Sequence, residues 1–345
     1  NGNLQWSKTT GTEDYDIGKS IIYTKDGALV ILGSTELSGH DPLYIQVIKM
    51  NENGNLQWTK AIRGEKLGDT YSIIQTSDNG FITVGVFDPG AVGVDLPFSD
   101  FFESCCGFGY WSLATWPILL MMLNSDVSLV KLDSIGNLVW EKAIGGIRQE
   151  GGYSITPTSE GGFAITGRTE PLSLDRYDPK VNSDVYVIKL NRKGRLQWAK
   201  IIGGIKDEIS YSIIQTGEGG FAITGRTYSS RQSEWDAYVI KLNKKGNLEW
   251  TKVIGGTGED EGKSIIQTDD GGFVIAGSTR SFGHGGTDVY VIKLGKDGNI
   301  PNCPGGCNVS SGGGIVKASV GQITLNPLCI LNNIVYFLAR IIKGP

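Results

Sequence analysis

The chain repeats one unit of about 52 residues, and this periodicity limits the folds that it can adopt. A tryptophan marks each copy, and fourteen residues after each tryptophan stands a serine that is followed by isoleucine. The tryptophans are Trp6, Trp58, Trp140, Trp198 and Trp250. Their spacings are 52, 82, 58 and 52 residues, and the longest spacing contains an insertion of about 30 residues. This regular phase predicts five equivalent structural units.

Each copy has the pattern of four short strands joined by tight turns. In order, the segments are "SIIQT", "GGFAITG", "DVYVIKL" and "GNLQW", or close variants of them. They are rich in β-branched and aromatic residues and are bounded by Gly, Asp and Asn, which is typical of strands and hairpins. Glycine supplies 50 of the 345 residues, about twice its usual share of roughly 7%. Turn positions with positive φ account for such an excess.

Four strands in each unit predict an all-β fold, namely a five-bladed β-propeller over residues 1–300. An apolar insertion at about residues 88–125 falls in the second blade, between its second and third strands. Residues 301–345 lie beyond the last repeat and are expected to form a C-terminal tail that acts as a docking or assembly arm.

The chain starts with a fourth strand and leaves its last unit without one. Residues 3–8 have the fourth-strand pattern, and the last repeat stops after the third-strand segment Asp288–Leu294. We predict that the N-terminal strand pairs with Asp288–Leu294 and closes the ring, which would cover two open sheet edges. Pairing with a neighbouring molecule is the alternative and would give a swapped oligomer or a filament.

The repeat pattern "YSIIQT…DGGF…DVYVIKL…GNLQW" resembles that of repeat-rich secreted or surface β-propeller proteins of archaea and bacteria. The resemblance covers roughly residues 2–300 apart from the insertion, and it implies an extracellular or cell-surface protein that binds or acts as a scaffold. The tryptophan-bearing strand also resembles that of quinoprotein dehydrogenase propellers. No residues of a quinone site are recognisable, so no catalytic residue is transferred.

Composition and motifs argue against several classes of function. The net charge is -4 with acids and bases mixed, whereas a nucleic-acid-binding protein needs a basic face. The two histidines lie in loops, outside any metal-binding pattern, and no nucleophile elbow or P-loop is present. We therefore expect a non-enzymatic protein without a catalytic residue or an obligatory cofactor.

Acidic residues recur ten positions after the tryptophan, in the loop that enters the first strand. They are Asp16, Glu150, Glu208 and Asp260, and the second copy has Gly68 at this position. In a ring these carboxylates would approach one mouth of the central channel, where they predict a Ca²⁺ site because hard cations prefer oxygen ligands. A solvated polar turn is the simpler interpretation.

Two aromatic side chains in one variable loop, Tyr228 and Trp235, are candidates for stacking on sugar rings. Near-identical repeats favour several equivalent weak sites, as in a lectin, over one asymmetric active site. A glycoside hydrolase would instead need a unique pair of carboxyl groups. Loop aromatics also commonly serve packing alone.

The insertion and the tail each contain an uncharged stretch, and both are predicted to be buried in an assembly in preference to membrane contact. The residues assigned to assembly are Trp111, Trp116, Leu119, Leu120, Ile330, Tyr336 and Phe337. The disulfide candidates are Cys303 with Cys307, and Cys105, Cys106 and Cys329 with each other or across subunits. Asn308 begins a glycosylation sequon.

These features together predict a structural or adhesive β-propeller that self-associates as a homo-oligomer or polymer, such as a surface-layer or filament subunit. A carbohydrate-binding propeller is the first alternative and would bind glycans in equivalent pockets. A glycoside hydrolase-like propeller enzyme is the second, and it would have one deep pocket with unique acids.

Overall fold

A computed structural model describes residues 2–13, 15–36, 44–62, 69–87, 125–146, 148–171, 182–228, 234–300, 309–311 and 315–317. Within these ranges the chain forms 21 β-strands and no helix. The strands are β1 (Tyr15–Tyr23), β2 (Leu29–Glu36), β3 (Tyr44–Met50), β4 (Leu56–Ile62), β5 (Thr70–Gln75), β6 (Phe81–Phe87), β7 (Asp126–Leu132), β8 (Leu138–Ile144), β9 (Gln149–Pro157), β10 (Phe163–Glu170), β11 (Asp184–Leu190), β12 (Leu196–Gly203), β13 (Glu208–Gln215), β14 (Phe221–Tyr228), β15 (Trp235–Leu242), β16 (Leu248–Ile254), β17 (Asp260–Gln267), β18 (Phe273–Thr279), β19 (Asp288–Leu294), β20 (Val309–Ser311) and β21 (Ile315–Lys317).

The strands form five antiparallel sheets in the order of the repeats. Sheet 1 contains β1 to β4, sheet 2 β5 to β8, sheet 3 β9 to β12, sheet 4 β13 to β16, and sheet 5 β17 to β19. Each strand pairs with the next along the chain, as the four-segment pattern predicted. The all-β prediction with repeated four-stranded sheets is therefore confirmed. First strands of consecutive sheets contact one another, so they form the inner edge of the array.

Hydrophobic clusters join neighbouring sheets. Val185 and Val187 of β11 belong to one cluster with Phe221 of β14, and all three side chains are fully buried. Because β11 is covered on both faces, its "DVYVIKL" sequence is apolar at nearly every position. The repeated motif thus follows from packing between sheets.

The repeat tryptophan of each sheet packs against the next sheet. Every one lies against a glycine in the turn that follows the third strand of the next sheet, where φ is positive and a β-carbon would meet the indole. The pairs are Trp6 with Gly54, Trp58 with Gly136, Trp140 with Gly194, Trp198 with Gly246, and Trp250 with Gly298. Trp6 therefore packs on sheet 1 as the fourth-strand tryptophan of a preceding sheet would.

The lysine of the third-strand motif is buried in sheets 1 to 4 and 38% exposed in sheet 5, and in every sheet it reaches a carboxylate near the turns. The Nζ–O distances are 2.6 Å for Lys49–Asp26, 2.9 Å for Lys131–Asp78, 2.7 Å for Lys189–Glu160, 2.7 Å for Lys241–Glu249 and 2.8 Å for Lys293–Asp270. An aliphatic stem with a paired charged end explains how a lysine is tolerated in a strand packed on both sides.

The predicted pairing of residues 3–8 with β19 is absent from the ladders that the structure describes. β19 pairs with β18 alone, and residues 2–12 form no strand. As a result Val289 and Val291 of β19 are 83% and 64% exposed, whereas Val185 and Val187, at the same positions of β11, are 0% exposed. Tyr15 on the first strand of sheet 1 is likewise exposed.

The tail contributes two short strands to outer sheet edges. β20 pairs with β16 of sheet 4, and β21 pairs with β12 of sheet 3, both antiparallel. The other predictions for the insertion and the tail lie outside the described residues. They concern Trp111, Trp116, Leu119, Leu120, Ile330, Tyr336 and Phe337, the cysteines Cys105, Cys106, Cys303, Cys307 and Cys329, and Asn308. Nowhere in the described part of the chain does a helix have the length and apolar character needed to cross a membrane.

Candidate functional site

A β-bulge interrupts the first strand of every sheet at the same repeat position. The residue thirteen positions after the tryptophan is skipped by the pairing with the second strand. Bulges re-aim side chains and are common beside functional sites. We call these five residues the bulge row: Lys19, Tyr71, Tyr153, Tyr211 and Lys263.

The bulge row forms contacts along the inner edge of the array. The rings of Tyr71 and Tyr153 meet edge to face with centroids 5.2 Å apart. The Nζ of Lys263 lies 3.9 Å from the ring centroid of Tyr211, and that of Lys19 lies 5.8 Å from Tyr71. Burial raises the pKa of Tyr211 to about 12, so its hydroxyl stays protonated and can donate a hydrogen bond at neutral pH.

A cleft opens between sheets 4 and 5, next to one end of this row. Its volume is about 110 Å³, which is small against the roughly 300–1,000 Å³ of pockets for drug-sized ligands. The cleft therefore has room for no more than about one sugar unit. Its walls are Arg226, Trp235, Glu259, Asp260, Glu261, Ser278, Arg280 and Thr287.

Arg226 and Trp235 form one wall of the cleft. The guanidinium carbon of Arg226 lies 4.1 Å from the ring centroid of Trp235, which is a cation–π contact. Tyr228 meets Trp235 edge to face at 5.5 Å. The structure thus brings together the two aromatics predicted from the sequence, but only Trp235 lines the cleft.

Carboxylates from the entry to β17 form the opposite wall. Glu261 is 2.9 Å from Lys263 Nζ and 3.7 Å from Arg226 Nη1, and it accepts a hydrogen bond of 3.0 Å from the Ser278 hydroxyl. Glu259 pairs with Arg280 at 2.7 Å. Both Glu259 and Arg280 are about half exposed. The cleft therefore combines an aromatic surface with two ion-paired carboxylates.

The four recurring acids predicted as a Ca²⁺ site are not brought together. Asp16, Glu150, Glu208 and Asp260 each begin the first strand of a different sheet and accept hydrogen bonds within their own loop. Among the residues that the structure describes, no three Asp, Glu, His or Cys side chains form one group. Of the four acids, only Asp260 lines the cleft.

The bulge row and Arg226 were not predicted as site residues. The signal was nevertheless visible, because the residue before each repeat serine is Tyr or Lys in all five copies. Arg226 lies in "ITGRT", which sheet 3 repeats with Arg168, whereas the first and last sheets have serine and the second has valine. The arginine thus distinguishes two of the five copies from the others.

Carbohydrate-active enzymes are among the solved structures that match this chain. An endo-arabinase from Bacteroides thetaiotaomicron is 11% identical with a TM-score of 0.43, covering 83% of this chain and 96% of the enzyme. An α-L-arabinofuranosidase from Fusarium graminearum is 10% identical with a TM-score of 0.45, covering 81% and 76%. A β-1,2-mannobiose phosphorylase from Listeria innocua is 10% identical with a TM-score of 0.31, covering 84% and 76%.

Sequence comparison gives one curated relative and no family. The regulatory protein FlaEY of Caulobacter vibrioides is 26% identical in an alignment of 174 residues that covers 45% of this chain and 18% of that protein. The chain thus matches less than a fifth of its relative's length. No family model matches the chain.

The expectation of a non-enzymatic structural or adhesive protein, assembled as a surface layer or filament, is contradicted by the structure comparison. The matched structures named above are glycoside hydrolases and a phosphorylase, none of them a structural subunit. The expected adhesive and filament-forming roles are corrected with it, and the cysteines proposed for disulfides lie outside the described residues. At identities of 11% or less and TM-scores below 0.5, these likenesses assign no activity to this chain. The side chains that line the cleft are the basis for the function proposed below.

Proposed function

We propose that the chain is a carbohydrate-active propeller of the glycoside hydrolase type, with its sugar-binding site in the cleft between sheets 4 and 5. The observation that carries the proposal is the facing arrangement of Trp235, with Arg226 stacked on it, and the carboxylates Glu259 and Glu261. A sugar ring presents apolar C–H faces and a rim of hydroxyls. An aromatic wall opposite charged hydrogen-bonding groups matches both features.

Glycoside hydrolysis in most families uses two carboxyl groups, one as an acid and one as a base or nucleophile. Glu261 is held by Arg226, Lys263 and Ser278, so it is the candidate base or nucleophile. Glu259 has only the half-exposed Arg280 as a salt-bridge partner among the described residues. A substrate can displace Arg280 and leave Glu259 as the candidate proton donor.

The test is an assay of sugar release from a panel of oligosaccharides and polysaccharides that includes arabinan and β-1,2-mannobiose. Glu261→Gln is expected to lower kcat at least about 100-fold, because a general acid–base group typically contributes 10²- to 10⁴-fold. Trp235→Ala is expected mainly to raise KM. Glu218→Gln is the matched control, since Glu218 is 78% exposed and lies outside the cleft. Turnover that Glu261→Gln leaves unchanged, or no turnover of any sugar, would reject the proposal.

We also propose that five sheets close into one ring within a single chain. In four sheets the third-strand lysine is registered with the repeat tryptophan, as in Lys189 with Trp198 and Lys241 with Trp250. The same register would place Trp6 opposite Lys293 and Lys8 opposite Val291. Trp6 already packs on Gly54, and Lys8 Nζ already contacts Asn55 Oδ1 at 3.1 Å, as Lys60 contacts Asn137. Closure would bury the exposed valines of β19.

A disulfide across this register tests closure. In a variant without the native cysteines, Lys8→Cys with Val291→Cys is expected to oxidise readily to a cross-linked monomer, because the two residues face each other in the proposed ladder. Lys8→Cys with Ile292→Cys is the control, since neighbouring residues on a strand point to opposite faces. Cross-linked dimers on a non-reducing gel would instead show that the strand pairs with a neighbouring molecule.

A further inference from the structure

Buried carboxyl groups meet in pairs at three junctions between sheets. In each pair, an Asp that begins a third strand approaches the acid that begins the first strand of the next sheet. A glycine lies between the two, and a β-carbon on it would collide with both carboxyl groups. The pairs are Asp126 with Glu150 at Gly145, Asp184 with Glu208 at Gly203, and Asp236 with Asp260 at Gly255.

The pair Asp126–Glu150 is the clearest case, because both side chains are almost fully buried at 8% and 3% exposure. Glu150 accepts hydrogen bonds of 3.2 Å from Gly146 N–H and 3.3 Å from the Thr169 hydroxyl. Asp126 Oδ1 is buried and has no hydrogen-bond partner. Neither carboxyl group forms a salt bridge with any Lys, Arg or His of the described residues.

At the next junction a positive charge is in direct contact with a carboxylate, whereas at this one Arg148 acts on Glu150 through its charge without forming a salt bridge. There Arg148 Nη2 lies 3.3 Å from Asp184 Oδ2, and Asp184 is 1% exposed. At the pair Asp184–Glu208, the protein's own Arg148 side chain therefore provides the positive charge. The pair Asp126–Glu150 has no such ion-pair partner among the residues described.

Two ionised carboxylates cannot remain together and buried without compensation, because each is desolvated and each repels the other. Burial raises the pKa of Asp126 to about 7. Burial raises the pKa of Glu150 to about 8, against a lowering by the Gly146 N–H that is larger than the further rise caused by the charge of Asp126. Such a pair must hold either a proton or a metal cation near neutral pH.

We propose that Asp126 and Glu150 bind a divalent cation of the Ca²⁺ or Mg²⁺ class at the junction of sheets 2 and 3. The free Asp126 Oδ1 and the Glu150 carboxylate supply hard oxygen ligands and two negative charges, which such a cation matches. The Thr169 hydroxyl is a further oxygen beside Glu150. The cation would hold the third strand of sheet 2 to the first strand of sheet 3.

The test compares EDTA-treated protein with and without added CaCl₂ or MgCl₂, at pH 7.5. We expect one of these salts to raise Tm by several degrees, since a ligand that binds only the folded state stabilises it. We also expect equilibrium dialysis to show one bound ion fewer in Asp126→Asn. Asp184→Asn is the control, because Asp184 already has Arg148 as an ion-pair partner. If Asp126→Asn fails to fold, Glu150→Gln takes its place.

The proposal is overturned if neither salt changes Tm or if Asp126→Asn binds as many ions as the parent chain. The pair then holds a proton instead, and stability falls as pH rises from about 4 to 8. Carboxyl groups with folded pKa values near 7 and 8 bind protons that the unfolded chain has already released. Stability from a shared proton is therefore full below about pH 4 and is lost above about pH 8. Arg148 and Tyr186 also interact with the pair. Burial raises the pKa of Tyr186, so its hydroxyl stays neutral over this range.

Discussion

Phe221→Ala is expected to lower the free energy of unfolding by about 3–5 kcal/mol, as for other buried aromatic residues cut to alanine. Phe221 is 0% exposed, packs edge to face on Trp198 at 5.7 Å, and belongs to the cluster that joins sheets 3 and 4. The substitution leaves a cavity that neighbouring strands cannot fill, because each is fixed in a ladder on both sides.

Urea denaturation followed by tryptophan fluorescence measures this effect. Phe282→Ala is the matched control, since Phe282 is 47% exposed and its ring contact among the described residues is Tyr290. The control should change stability by less than about 1 kcal/mol. Equal losses for the two variants would mean that the interface between sheets 3 and 4 is not the cohesive core inferred from the packing.

Gly225→Ala is expected to destabilise the protein by about 3 kcal/mol, at the upper end of the range for overpacked sites. A β-carbon at Gly225 would collide with the carbonyl oxygen of Ile209, which is a backbone atom and cannot move aside. The close approach accompanies the bulge at Tyr211, because the first strand bends toward the second there. The bulge opposite Gly225 therefore requires a glycine at the last position of "AITG".

Gly217→Ala provides the comparison, because the nearest atom to a β-carbon there is Gln267 Oε1 at 3.8 Å. Its denaturation midpoint should stay close to that of the parent chain. Gly225→Ala should also weaken any ligand binding in the cleft, since Arg226 follows directly and Tyr211 is re-aimed by the same bulge. A Gly225→Ala variant of full stability would show that the first strand can shift without cost.

The repeat predicted the sheets well because each strand pairs with its neighbour in the chain. Short apolar segments separated by glycine turns admit few other ladders, and the lysine–tryptophan register recurs in four sheets. The repeat pattern did not predict which side chains of neighbouring repeats contact each other. Asp126 and Glu150 stand in different repeats and serve different strands, so their pairing depends on how sheets pack.

The cleft was only partly predictable for the same reason. Trp235 was recognisable as an aromatic residue in a variable loop, but its stacking on Arg226 and its position opposite Glu261 depend on the angle between sheets 4 and 5. The recurring acids were seen in the sequence, yet a ring-shaped convergence was the wrong geometry for them. Each acid lies at its own sheet, where loop N–H groups donate hydrogen bonds to its carboxylate.

The contact between each tryptophan and the next sheet's glycine turn also bears on how the chain acquires its structure during synthesis. Trp198 packs on Gly246, and Trp250 packs on Gly298. The glycine turn that covers each indole therefore lies one repeat later in the chain. A sheet emerging from the ribosome would keep its indole exposed to water until the following repeat has been translated. Folding that advances from the N-terminus would therefore run about one repeat behind translation, as expected for arrays with nearest-neighbour contacts.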